Sequence, residues 1–205
     1  MGIYRPTTTN TANTAAEEAV LNDFAELLKA GGSDVTVVPE IQRQKFSKNL
    51  WNCILGATAA LARYPLPSIF RPRHLDPGHD TAAEPTPAAR ADHDEPPYPP
   101  TADIPSRTPI IRENTIPFLH DALTELYNLG QVLFPPSELG PGLDPNIVKR
   151  TLKNTAVLHV RPDSSHRPSM LVDVETGRPM ELDVVIGEVV RLGRAKGVPM
   201  PVGIL

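Results

Sequence analysis

A single cysteine, Cys53, stands among the 205 residues. One thiol cannot close an internal disulfide, which fits a reducing compartment. Cys53 lies beside Asn52 among apolar neighbours, the setting of a packed thiol rather than a reactive one. Long hydrophobic runs are missing too: none reaches the ~18–20 residues of a membrane span. The opening Met1-Gly2-Ile3-Tyr4-Arg5-Pro6 lacks the apolar core of a signal peptide, and Gly2 alone is a weak sign of myristoylation. Nor is there an excess of one charge. The formal charge of -4 leaves no strong footprint for nucleic acid or an anionic membrane. These absences describe a soluble, cytoplasmic protein. A dinucleotide fingerprint is also lacking. A pyrophosphate cradle needs G-x-G-x-x-G between a strand and a helix, whereas Gly31-Gly32 follows a helix.

Proline is abundant, with 24 residues, many of them in the stretch Arg71 to Arg112. That stretch has few large apolar residues and cannot bury enough surface to offset chain entropy. It reads as a disordered insertion between helices, with a polyproline II run at Pro96-Pro97-Tyr98-Pro99-Pro100. A ligand for a proline-binding domain is the other reading of that run. His74, His79 and His93 scatter through it without the compact spacing of a metal site, so no metal is expected.

Around that stretch the chain reads as helical. Thr14 and Glu17 form a capping-box pattern, Val20, Phe24, Leu27 and Leu28 give an apolar stripe, and Gly31-Gly32 supplies the stop. Val35 to Val38 is short, β-branched and closed by Pro39, which predicts a strand. A long helix is expected from Glu40 to Arg63, ended by Pro65 and Pro67. Further helices are expected over Thr115 to Leu133, from the Asp144-Pro145 cap to about Leu158, and from Met180 or Glu181 to Lys196 before Gly197.

Two separated segments offer chemistry. Lys48 and Asn52 are four apart in the long helix, with Gly56 four further on, so they share one face. Much later come Ser169-Met170 and Asp173, then Gly177-Arg178, Glu181-Leu182-Asp183 and Gly187. A cation, an amide, a hydroxyl and a carboxylate suit a small polar acid. Each residue also has a plain structural reading. Lys48 reads as an exposed helix lysine and Asn52 as a satisfied buried amide. Ser169 reads as a helix-start cap, and Glu181 as a first-turn acid facing the helix dipole, worth ~0.3–1 kcal/mol.

This pattern resembles the C-terminal domain of the ketopantoate reductase family, which carries K-x-x-x-N on one helix and later S-M-x-x-D, G-R-x-x-E-[IL]-D and a glycine. The resemblance covers roughly Val35 to Phe70 and Asn146 to Pro201. It implies a mainly α, multi-helix domain preceded by a residual helix-strand piece of a Rossmann domain. The expected organisation is residues 1–39 as that tail and 40–201 as the helical domain, interrupted by the 71–112 insertion. Residues 202–205 would be the truncated start of a terminal helix. Most of the nucleotide-binding domain would then be absent.

The resemblance further implies NADPH-dependent reduction of 2-dehydropantoate (ketopantoate) to pantoate. Lys48 would be the catalytic general acid. Glu181 would organise it and meet the substrate hydroxyl, while Asn52 and Ser169 would bind the ketoacid. Asp173 and Arg178 would pair to shape the loop, Asp183 would help hold it, and His166 lies near the substrate-binding segment. Dimer contacts through the helical domain are also implied. Gly56 stands where the family has a second asparagine, which would remove a polar contact and enlarge the pocket. The alternatives are a non-enzymatic remnant keeping the fold for association, or a reductase of another 2-oxo acid.

Overall fold

The computed structural model describes residues 1–5, 12–70, 104, 111–138, 140–161 and 163–201. The residues 71–103 and 105–110 of the proline-rich insertion, with its polyproline run and three histidines, lie outside these, as do residues 202–205. Among the described residues seven α-helices follow in order: α1 (Ala15–Ala30), α2 (Ile41–Trp51), α3 (Ala57–Ala62), α4 (Ile116–Leu133), α5 (Ile147–His159), α6 (Ser169–Thr176) and α7 (Glu188–Lys196). π-helical turns span Asn52–Gly56, Ile111–Thr115 and Asp183–Gly187. Among the described residues there is no β-strand, and the chain is mainly helical. Two compact units are formed: Met1–Lys48 with Gly130–Leu143, and Asn49–Leu129 with Asp144–Leu205.

In the first unit, α1 opens with the expected capping box. The Glu17 amide donates to Thr14 Oγ1 at 3.3 Å, and the Thr14 amide donates to the Glu17 carboxylate at 2.7 Å. That amide, with the Arg5 guanidinium 2.6 Å away, holds the Glu17 carboxyl below its ordinary range. Gly31 caps the far end, and Gly32 turns the chain away at φ +85°. The expected stripe is not the buried one. Leu21 and Ala25 are buried, whereas Val20, Phe24 and Leu27 are 67%, 50% and 67% exposed.

The strand expected at Val35 to Val38 does not form. The Val38 amide donates to the Met1 carbonyl at 2.9 Å, and the N-terminal ammonium bonds the Thr36 carbonyl, but no ladder follows. A strand needs a ladder of partners as well as β-branched residues, and among the described residues the backbone bonds of this stretch go to Met1 alone. The buried Glu40 caps α2, accepting from the amides of Gln42 and Arg43 at 2.5 and 2.9 Å. Phe46 tilts against Phe134 with ring centroids 5.5 Å apart. Gly130 leaves room for this packing, since a side chain there would strike Phe46 and Leu143.

In the second unit, Leu50, Leu55, Leu66 and Phe70 are fully buried, as are Leu119, Leu123 and Leu126 of α4 and Leu152 of α5. The long helix predicted to Arg63 is helical to Ala62, but the Asn52–Gly56 turn interrupts its α geometry. Arg63 ends it in the left-handed conformation at φ 55°. Helix α5 starts two residues later than predicted: Asp144 Oδ1 accepts from the Asn146 amide at 2.8 Å, and Asn146, not Asp144, is the capping residue. Gly177 and Gly197 end α6 and α7 with φ of 68° and 67°.

Candidate functional site

Lys48 is exposed in the last turn of α2, at the end of the first unit. Asn52, Ser169 and Glu181 all belong to the second unit. Asn52 is half-buried and opens a π-helical turn, which packs against α6 and against the second turn, Asp183–Gly187. Asn49 ties the latter contact, its Nδ2 donating to the Val185 carbonyl at 3.1 Å. A π turn widens the helix by one residue and reroutes its carbonyls, a device frequent at functional sites.

Ser169 is the first residue of α6 and is exposed. Pro168, not Ser169, occupies the capping position, so the serine hydroxyl is not spent on a helix amide. Its two neighbours cover Gly56. A Cβ built on the buried Gly56 would lie 3.1 Å from Met170 Cε and 4.0 Å from Pro168 Cβ. The fold therefore brings the Asn52–Gly56 turn to the start of α6, across more than a hundred residues. A side chain at Gly56 would press on the Met170 methyl, so this glycine belongs to the packing of α6 on the turn. Glu181 is exposed just ahead of the second π turn. Among the described residues, the side chains of Lys48, Asn52, Ser169 and Glu181 have no hydrogen-bond or ionic partner.

The loop partners divide differently from the expectation. Arg178 Nε and Asp173 Oδ1 pair at 3.2 Å, as expected. Asp183 does not hold that loop. Its carboxylate takes Arg191 Nη1 at 2.8 Å, and Arg191 also meets Glu188 at 2.9 Å. The bond from Arg191 holds the Asp183 carboxyl below its ordinary range and pushes the guanidinium up. Gly187 permits this: a Cβ there would sit 2.7 Å from Asp183 Oδ1.

One cluster was not foreseen. Trp51, next to Asn52, donates from Nε1 to Thr155 Oγ1 at 3.1 Å and meets the His166 ring edge-on at 5.6 Å. His166 stacks on His159 at 5.2 Å, and its carbonyl accepts from the Leu66 amide at 3.1 Å. His159 is buried, and its Nδ1 lies 2.7 Å from Ser164 Oγ. Burial, aided by the His166 charge, pushes its pKa down to about 4. Only the tertiary fold joins these residues, so no local spacing announced them. Cys53 is 3% exposed, and burial pushes its thiol up to about 11, as befits packing.

Among the described residues no three His, Cys, Asp or Glu are placed to hold a metal ion. None of their helices is long and apolar enough to cross a membrane. With no strand–turn–helix unit among them, they offer no dinucleotide cradle.

Residues 110–203 match the family described as Ketopantoate reductase PanE/ApbA C terminal. This segment, a little under half of the chain, is similar to that family. It contains Ser169 and Glu181, while Lys48 and Asn52 lie outside it. It also contains α4, which the sequence resemblance had passed over. Solved structures share the fold. The 2-dehydropantoate 2-reductase from Methylococcus capsulatus is 18% identical with a TM-score of 0.56, covering 90% of this chain and 43% of that one. The 2-dehydropantoate 2-reductase from Geobacter metallireducens GS-15 is 17% identical with a TM-score of 0.59, covering 90% and 45%. A D-mandelate dehydrogenase, solved with NADH and anilino(oxo)acetate, is 14% identical with a TM-score of 0.59, covering 95% and 60%. The chain thus spans less than half the length of either reductase. No curated protein matches it in sequence.

Proposed function

We propose that this chain supplies the substrate-binding and proton-donating part of an oxidoreductase for small 2-oxo acids, with 2-dehydropantoate as the first candidate. The carrying observation is the packing of the Asn52–Gly56 turn onto the start of α6, with Asn52 and Ser169 both unpartnered among the described residues. In this reading, Asn52 and Ser169 hydrogen-bond the ketoacid. Reduction places a hydride on the ketone carbon, the C=O π bond opens, and the alkoxide oxygen takes a proton. Lys48 would hold that proton as an ammonium ion and regain one from water, and Glu181 is the second acid–base group of this reading. NADPH, the hydride source that family resemblance implies, would be bound outside the described residues.

The test joins this chain to the nucleotide-binding domain of a reductase and follows NADPH oxidation with 2-dehydropantoate. Lys48→Ala and Glu181→Gln should each lower kcat, Lys48→Ala by about 10²–10⁴-fold, the range for a positioned acid. Near-parental turnover in both variants would remove these roles.

The exposed α1 stripe favours a second reading, a non-enzymatic association module. Val20, Phe24 and Leu27 offer apolar surface of the kind that marks interaction sites. A self-associating chain with no response to any 2-oxo acid would support it.

A further inference from the structure

We propose that Asn49 is a positioning residue: its side-chain amide sets Glu181 against Asn52, so that an acid held by Asn52 and Ser169 also meets the Glu181 carboxylate. This deepens, and rests on, the 2-oxo acid reading above. Asn52 opens the turn Asn52–Gly56, and Glu181 stands two residues before the turn Asp183–Gly187. The two turns pack on each other. The Glu181 side chain is exposed and has no hydrogen-bond or ionic partner among the described residues, so its place comes from its backbone. Asn49 fixes that backbone. It is half-buried in the last turn of α2, three residues before Asn52, and positions three apart are neighbours on a helix surface. Its Nδ2 donates to the Val185 carbonyl at 3.1 Å, across 136 residues of chain. The Val185 amide in turn donates to the Glu181 carbonyl at 2.9 Å. A single residue, Val185, therefore joins the Asn49 amide to the Glu181 main chain. Only a donor at position 49 makes this tie, because the Val185 group it meets is an acceptor. Site side chains work when held within about 0.5 Å of the productive geometry, and bonds from residues that never touch the ligand do the holding. The Lys48-to-Asn52 spacing leaves position 49 open, so the resemblance assigns it no role.

The test titrates the ¹⁵N-labelled full chain with 2-dehydropantoate, in the parent and in Asn49→Leu. Leucine keeps the branched shape and brings neither a donor nor a charge. In the parent, the Asn52, Ser169 and Glu181 amides should shift together to saturation. In Asn49→Leu, Asn52 and Ser169 should still shift, with an affinity within about threefold of the parent because their own bonds to the acid remain. Glu181 should no longer respond. If Asn49→Leu does not fold, Asn49→Ala makes the same comparison. A Glu181 response kept in the variant would overturn the positioning role and leave the 2-oxo acid reading standing. A joint loss at all three amides would overturn it as well, by showing that Asn49 ties the fold and not Glu181 in particular. No response at any of them in the parent would overturn both.

Discussion

Helices α1 and α4 carry the same kind of signal and meet opposite fates. Each repeats large apolar residues at helical spacing. In α4, Leu119, Leu123 and Leu126 are 0–1% exposed. In α1, Val20 and Leu27 are 67% exposed, and only Leu21 and Ala25 are buried. Periodicity decides which residues share a face; what lies opposite decides whether that face is buried. The second unit surrounds its stripe, and the first leaves its own open.

The sharpest way to break this contrast is truncation on both sides. Leu126→Ala should cost about 2–5 kcal/mol, the range for a buried leucine. Leu27→Ala, the smallest effect expected here, should stay within about 0.5 kcal/mol. Urea denaturation measures both. A large cost at Leu27 would show that the α1 stripe is covered in solution.

Next in size is an effect of pH confined to the buried region. The folded pKa of His159, about 4, lies below the ordinary 6.5. As pH falls from 6.5 towards 4, the unfolded chain takes up a proton that the folded chain refuses, so stability drops. The loss should be on the order of 1–3 kcal/mol. Comparing parent and His159→Gln at pH 7 and pH 4.5 isolates it. A parallel decline in both would exclude His159 as the cause. Smaller again is the cap of α1: Thr14→Ala should cost about 0.5–2 kcal/mol, read by thermal denaturation. No change would show that Arg5 and Glu17 hold the helix start without the threonine.

Legibility follows the range of the interaction. The Thr14–Glu17 box and the Gly31-Gly32 and Gly197 stops are local, and the spacing of those residues revealed them; the Asp173–Arg178 pair, also local, came with the family resemblance. The Val35 to Val38 strand failed because pairing needs a partner that a short window does not contain. The π turns escaped because an i→i+5 ladder uses the same residues as an α-helix. Arg191 was missed as the partner of Asp183 because it lies eight residues on, and the contact depends on the bare Gly187. At the candidate site, the motif residues were legible as chemistry. The packing of the Met170 methyl on Gly56 was not, since it reflects how α6 docks on the turn.

The most direct test is a 2-oxo acid titration of the ¹⁵N-labelled chain, with α1 as internal control. The expected result is saturable shifts at the Asn52, Ser169 and Glu181 amides while Phe24 and Leu27 stay still. Shifts concentrated on α1, or none anywhere at saturating acid, would contradict the assignment of the Asn52–Gly56 turn and the start of α6 as the binding site.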